Sequence, residues 1–340
     1  MRTLCHLMLL LSCLAMPCLA SYDSMPSPPP NMPTSTDKTD THRGRVKRGV
    51  HWYRKPALAT AVKQLEYGYK LYQAKRYRLA ANAYQALVYA WPDSPEAPKA
   101  QLALAQVQET RQLYTKAFDE YQYLFDYYPG QFDYRLVLDR QFKIANFLMT
   151  TPKASILFFR GFPAPERALP LFETIIRNAP LWDHAATAQL SLGIIHENNG
   201  DYEEAVAAYE ILQNRYNDET LLPQASFREA HCLYLIYKDH PNNENSCNAA
   251  RAALVQYIRS YPQHETIQEA RLYLQTLNNE QGARTYEQAR YYDRIARRPK
   301  SALIAYGEFL KKYASLNPEL TAIARERVEV LKKETSHEKK

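Results

Sequence analysis

The stretch Gly193-Ile194-Ile195-His196-Glu197-Asn198-Asn199-Gly200-Asp201-Tyr202-Glu203-Glu204-Ala205-Val206-Ala207-Ala208-Tyr209-Glu210-Ile211-Leu212 decides the fold. A small residue, Gly193, is followed twelve positions later by Ala205, then by Tyr209 and Leu212. Residues at i, i+4 and i+7 share one face of an α-helix, so Ala205, Tyr209 and Leu212 predict a single apolar stripe. Asn199-Gly200-Asp201 reads as the turn before it, with the glycine ending one helix and Asp201 capping the next. Glu203 and Glu204 fall on the exposed first turn of the second helix, where carboxylates favour the positive end of the dipole. The stretch is a helical hairpin whose two small residues, one per helix, permit close antiparallel packing.

The same spacing recurs outward from it. Gly68, Ala80, Tyr84 and Leu87 are followed by Pro92, and 37 residues on Ala105, Ala117, Tyr121 and Leu124 are followed by Pro129. In the third full match Asn217 stands in the proline slot. Partial units lie between and after: Ala168, Phe172, Ile175 and Pro180; Ala250, Leu254, Tyr257 and Pro262; Ala302, Tyr306 and Phe309, with Ala314 in the proline slot. Proline stops the second helix because it lacks an N–H and disfavours helix in the residue before it. A single hairpin cannot bury its stripe alone, so hairpins stack. The expected fold is all-α, a tetratricopeptide-repeat superhelix of about five to six helical hairpins with a concave face.

Two units depart from the spacing. Between Asp139 and Glu166 the unit is stretched: Phe147 reads as a helix end, and two proline-containing stretches follow. The apolar run Ile156-Leu157-Phe158-Phe159 within it reads as a partner-binding loop unless it packs as part of a helix. In the fifth unit His240-Pro241-Asn242-Asn243-Glu244-Asn245-Ser246 reads as an inserted polar loop, lengthening the small-to-alanine distance from twelve to twenty. Loop insertions in repeat arrays carry contacts or express plain length tolerance.

The chain has 340 residues, of which 46% are hydrophobic, enough for a sizeable core. Nine glycines against 27 tyrosines leave little room for phosphate-cradling loops. Residues 1–20 read as a signal peptide, with Arg2, the apolar Leu7 to Leu11 and cleavage after Ala20; in the competing reading Leu10-Leu11-Ser12-Cys13 is a lipobox and Cys13 is lipidated. Residues 21–52, rich in Pro, Ser and Thr, read as a disordered tether ending in Arg43-Gly44-Arg45-Val46-Lys47-Arg48, a solvated linker or a binder of anionic headgroups. The repeat array spans 53–332 and a charged tail 333–340. A formal charge of +7, spread over 43 basic and 36 acidic residues, marks no polyanion surface, and nucleic acid is not an expected partner. Cys232 and Cys247, 15 positions apart, are a candidate disulfide in an oxidising compartment, with a buried small hydrophobe as the other reading of Cys232.

No catalytic, nucleotide-binding or metal-binding motif is present, and no cofactor is expected. His184 and His196 lie too far apart on one helix to share a metal. His231-Cys232 points to two helix faces, a poor catalytic couple. The candidate peptide-binding residues are first-helix positions that alternate with the packing stripe: Tyr69, Tyr72 and Gln73; Gln106 and Glu109; Ile194, Glu197 and Asn198. Aromatics supply contact area at low entropy cost, and carboxylates and amides bond a peptide backbone.

Trp91-Pro92-Asp93-Ser94-Pro95-Glu96-Ala97, more loosely Tyr261-Pro262-Gln263-His264-Glu265 to Ala270, and Ala289-Arg290-Tyr291-Tyr292 carry a family resemblance over roughly residues 55 to 332. With the signal or lipobox and the tether, the chain resembles the BamD (ComL) family of outer-membrane lipoproteins. That resemblance implies a non-enzymatic, exported scaffold at the periplasmic face of the outer membrane or in the soluble periplasm. It implies a BamA-like barrel protein and unfolded outer-membrane polypeptides as partners, and membrane association through a lipid anchor. Periplasmic coordinators of cell-envelope or peptidoglycan machinery (CpoB-like) share the repeat, but a coiled-coil segment usually precedes it there and none is visible here.

Overall fold

The computed structural model describes residues 55–151 and 164–337, all of whose regular structure is helical. The helices are α1 (Ala61–Gln73), α2 (Tyr77–Ala90), α3 (Ala97–Thr110), α4 (Tyr114–Tyr127), α5 (Tyr134–Thr150), α6 (Leu169–Asn178), α7 (Ala185–Asn199), α8 (Tyr202–Arg215), α9 (Leu222–Asp239), α10 (Glu244–Ser260), α11 (Ile267–Arg290), α12 (Pro299–Tyr313) and α13 (Pro318–His337). A 3₁₀ turn, Pro165–Ala168, leads into α6, and a π turn, Tyr291–Ile295, follows α11. The chain forms two compact units, one ending at Ile144 and the other beginning at Ala145.

In the first unit α1/α2 and α3/α4 are hairpins, and α2 also packs on α3. In the second, α7/α8, α9/α10 and α11/α12 are hairpins stacked in chain order, and α13 packs on α12. The stripes expected from the spacing are the core: Ala80, Tyr84 and Leu87; Ala117, Tyr121 and Leu124; Ala168, Phe172 and Ile175; Ala205, Tyr209 and Leu212; Ala250, Leu254 and Tyr257; Ala302, Tyr306 and Phe309 are all buried. Second helices end one residue before the aromatic-proline or alanine-proline pair at Trp91-Pro92, Tyr128-Pro129, Ala179-Pro180 and Tyr261-Pro262.

The small first-helix residue is required by its neighbour. A Cβ on Gly193 would stand 2.3 Å from the Tyr209 ring, and one on Gly68 2.4 Å from the Tyr84 ring. The turn between the helices is equally regular. Seven residues after the small residue the backbone enters the left-handed region, at Lys75 (φ 58°), Gln112 (φ 59°) and Gly200 (φ 85°). The next amide then reaches back across the helix end: Arg76 N–H to the Leu71 carbonyl, Leu113 N–H to Gln108 and Asp201 N–H to His196, at 2.9 to 3.0 Å. This is the Schellman closure, which favours glycine at the left-handed position.

Several details differ from the sequence expectations. Asp201 precedes α8 but its side chain makes no capping bond. α5 runs past Phe147 to Thr150, and the Arg167 guanidinium caps its C-terminus by donating to the carbonyls of Leu148 and Thr151. Ile156, Leu157, Phe158 and Phe159 lie outside the described residues. The fifth hairpin absorbs most of its insertion as helix: α9 and α10 reach 18 and 17 residues, against 14 or 15 in the second and fourth hairpins. Only His240 to Asn243 remain as turn, and Asn243 caps α10 by accepting from the amides of Asn245 and Ser246. The Arg284 guanidinium donates to the Pro241 carbonyl and ties that turn to α11. Cys232 and Cys247 are free, buried thiols in different core clusters, so the candidate disulfide is not formed and Cys232 is the buried small hydrophobe of the other reading; Cys232 packs with α8 and Cys247 with Tyr237 and Leu277. Helix continues to His337, beyond the point where a charged tail was expected.

Two stability predictions follow from these contacts. Gly193→Ala gains up to ~1 kcal/mol of helix propensity but forces the Tyr209 ring aside, which costs ~1–3 kcal/mol; a net fall in the urea midpoint is expected. Gln112→Gly relieves a left-handed side chain and raises stability by ~1 kcal/mol, whereas Gly200→Ala lowers it by a similar amount; thermal melts of the two variants check the opposite signs.

Candidate protein-binding surface

The first helices of successive repeats pass chemistry from one to the next. Four residues after the small residue, α3 carries Glu109 and α7 carries Glu197. Glu109 accepts from the Tyr121 hydroxyl at 2.9 Å and from Arg140 at 3.1 Å. Glu197 accepts from the Tyr209 hydroxyl at 2.7 Å and from Arg228 at 2.9 Å, and meets His231 Nδ1 at 3.3 Å. In both clasps the tyrosine lies 12 and the arginine 31 residues downstream of the acid. Asp293 forms a third clasp, with Tyr306 at 3.3 Å and Arg327 at 2.8 and 2.9 Å. Its tyrosine lies 13 residues on, because the π turn adds a residue to the intervening helix. Each clasp joins both helices of its hairpin to the next first helix or, at the end, to α13.

Burial raises the Glu197 carboxyl, but the bonds from His231, Tyr209 and Arg228 outweigh it and bring the group down to about 2. Asp293 is likewise lowered, mainly by its bonds from Arg327. The partner tyrosines move the other way: burial first, then the adjacent acid, raises Tyr121 and Tyr209, and takes Tyr306 to about 12. The Glu197 and Asp293 clasps therefore hold charged carboxylates against neutral phenols at ordinary pH.

A second recurring bond lies inside the first, second and fourth hairpins. Four residues before the small residue stand Gln64, Gln101 and Gln189, all buried. Their side-chain amides donate to the carbonyls of Ala83, Glu120 and Ala208, each 19 residues on, at 3.0, 2.8 and 3.0 Å. A buried amide so placed satisfies itself without opening the helix. Reading the chain for small, aromatic and proline positions missed these glutamines and the clasp arginines. The signal was present as identical residues at fixed offsets from the small residue.

The surface residues expected from sequence divide accordingly. Tyr69 is exposed at 45%, and Gln73 and Asn198 are exposed. Tyr72 is half-buried, with its ring 5.5 Å from Tyr77. Gln106 is half-buried, and its carbonyl accepts from the Thr110 hydroxyl. Ile194 packs against the core cluster of α7, α8 and α9. Glu109 and Glu197 are committed to clasps, so they hold repeats together where free peptide-binding acids were expected. In the second unit the neighbouring surface is aromatic. The half-buried Phe227 and His231 on α9 stack with the half-buried Tyr273 on α11, His231 to Tyr273 at 5.2 Å, and beneath them the buried Tyr234 stacks on Tyr273 at 4.9 Å. Arg228 and Glu197 lie beside this ladder.

Between α9 and α10, Ala249, Ala252 and Ala253 leave a cavity of about 180 Å³ beside Glu229. Burial raises the Glu229 carboxyl, which accepts from the Gln213 amide at 2.5 Å. Among the described residues no group of three His, Cys, Asp or Glu could hold a metal ion, and no helix is long and apolar enough to cross a membrane.

The Glu197 clasp makes a pH prediction. Because its folded-state pKa of about 2 lies below a glutamate's ordinary value of 4.5, the folded chain binds fewer protons there than the unfolded chain. Its contribution is full above pH 4.5 and disappears as pH falls through 2. Glu197→Gln should cost ~1–3 kcal/mol at neutral pH, with the difference from the parent chain narrowing as acid is added; urea unfolding across that range measures it.

No curated protein matches the chain. The sequence profile of the tetratricopeptide repeat matches residues 65–131 and 164–219. Solved structures with similarity include a thermophilic tetratricopeptide protein of Thermus thermophilus (TTC0263), 18% identical, covering 64% of this chain and 98% of its own, with a TM-score of 0.26. YrrB, described as a tetratricopeptide protein with an unusual peptide-binding site, is 14% identical over 62% of this chain and 92% of its own, TM-score 0.30. The MamA protein is 14% identical over 60% and 95%, TM-score 0.29. The hairpins in the two matched segments are tetratricopeptide repeats, the architecture of a protein-interaction scaffold.

Proposed function

We propose that the chain is a non-enzymatic, periplasm-facing scaffold of the outer-membrane β-barrel assembly machinery, holding a BamA-like barrel protein and unfolded outer-membrane segments. The observation that carries the binding role is the half-buried ladder of Phe227, His231 and Tyr273 beside Arg228 on adjoining first helices. Aromatic rings and arginine are the groups that concentrate binding energy in protein interfaces. The clasps hold those helices in fixed register, so a partner meets a preorganised surface and loses less entropy on binding. Placement in the envelope is supported by the signal-like residues 1–20, with Cys13 as the candidate lipid attachment, and the specific machinery by the BamD-like segments around Trp91-Pro92 and Ala289 to Tyr292.

Affinity purification from detergent-solubilised membranes should recover a BamA-like protein, and depletion of the chain should lower outer-membrane barrel proteins. Recovery of Tol proteins or cell-wall synthases, with barrel proteins unchanged, would assign the chain to the CpoB-like coordinators instead. Tyr69→Ala removes an exposed ring, and capture of the partner should weaken on the order of ten-fold with an unchanged melting temperature.

A further inference from the structure

The π turn and the start of α12 carry a surface that neither the repeat nor the scaffold role requires. The amide of Ala296 bonds the Tyr291 carbonyl and that of Arg298 bonds Tyr292, both at 2.9 Å. Arg297 is held in the left-handed region at φ 50°. π turns and strained non-glycine residues concentrate at functional sites. The turn is clamped from inside: the Asp293 side chain is 1% exposed and bound by Arg327 and Tyr306, and Tyr292 packs on the core of α12 and α13. With Asp293 and Tyr292 turned in, their neighbours are turned out. Tyr291 is 52% exposed and Ile295, four residues on, is 72% exposed. Ile304, one turn beyond Lys300 on the same face of α12, is 74% exposed.

Cations lie among these apolar groups in sequence, and the nearest exposed acids along the helices, Glu287 one turn before Tyr291 and Glu308 one turn after Ile304, are paired with Arg290 and Lys312. Arg294, Arg297, Arg298 and Lys300 are exposed. Among the described residues Arg297, Arg298 and Lys300 have no ion-pair partner; Arg294 approaches only Asp293, at 3.6 Å, whose same oxygen Arg327 holds at 2.8 Å. A purely acidic protein segment would answer the charges but leave two isoleucines and a tyrosine in water. A bilayer interface answers both, since headgroup phosphates meet the cations while tyrosine and an aliphatic chain enter the boundary below them.

We infer that the surface formed by Tyr291, Ile295, Arg297, Arg298, Lys300 and Ile304 docks the chain peripherally on an anionic phospholipid bilayer. This contact is separate from the candidate lipid attachment at Cys13 and needs no protein partner, so it stands or falls apart from the assembly role.

The full chain, with Arg43, Arg45, Lys47 and Arg48 replaced by Gln to silence the basic run near the N-terminus, is tested by co-sedimentation with vesicles. It should bind phosphatidylglycerol–phosphatidylcholine vesicles and not pure phosphatidylcholine. Adding Arg297→Gln, Arg298→Gln and Lys300→Gln should weaken binding on the order of 100-fold, about five-fold per charge. Ile295→Ser, at an exposed site that folding does not use, should weaken it about ten-fold with the salt dependence kept. Equal binding to neutral vesicles, no loss in the triple variant, or capture by soluble polyglutamate without vesicle binding would each overturn the assignment, the last by making this an acidic-protein surface.

Discussion

Everything in these repeats depends on how closely the two helices of a hairpin approach. At Gly68 and Gly193 no room remains even for a methyl group, because the ring of Tyr84 or Tyr209 lies across the glycine. That approach carries the tyrosine hydroxyl of α8 across Gly193 to Glu197, one turn further along α7. Without it the Tyr209 hydroxyl would not reach Glu197, and the acid would lose one of its bonds. The buried glutamine four residues before the small residue fixes the same distance from the other side, by tying the first helix to a carbonyl of the second.

The clasps convert hairpin geometry into repeat geometry. A carboxylate that accepts from its own second helix and from the next first helix makes successive hairpins share one hydrogen-bonded centre. Charge-assisted bonds of this kind are directional, unlike the apolar stripes beneath them, which would tolerate sliding. The composition of the hairpins follows the same logic. Tyrosine occupies the second-helix position where the first helix offers Glu109 or Glu197, and Phe172 occupies it in the third hairpin. In the fifth hairpin the position holds Leu254, and Glu280 of α11 takes over, binding Tyr237 at 3.0 Å and Lys238 at 2.7 Å.

Residues at the repeat surface are therefore of two kinds, and their chemistry alone does not separate them. Glu197 and Asn198 are neighbours in sequence, yet one is sequestered at 14% side-chain exposure and the other is open to solvent. The clasps leave the rings of Phe227 and Tyr273, and Tyr69 and Gln73 in the first unit, uncommitted, while His231 takes part both in the ladder and in the Glu197 clasp. The π turn shows the same division sharply, with Asp293 inside and Tyr291 and Ile295 outside.

The amino-acid sequence by itself determined the helical hairpins, their small-residue contacts, their buried stripes and most of their ends, because each of these is a local matter of helical period, steric size and missing N–H groups. It determined the left-handed turn at Gly200, and the offset of seven from the small residue carried it unseen to Lys75 and Gln112, where side chains hide it. Only the tertiary structure decided what the polar residues do. Glu109 and Glu197 looked like free groups on a binding face, and became structural because arginines 31 residues away arrive beside them when hairpins stack. Cys232 and Cys247 looked close enough to bond, and two extended helices placed them in separate cores. Periodicity reports which face of a helix is apolar. Which charge meets which is set by packing between repeats, and that is where the binding surface is made.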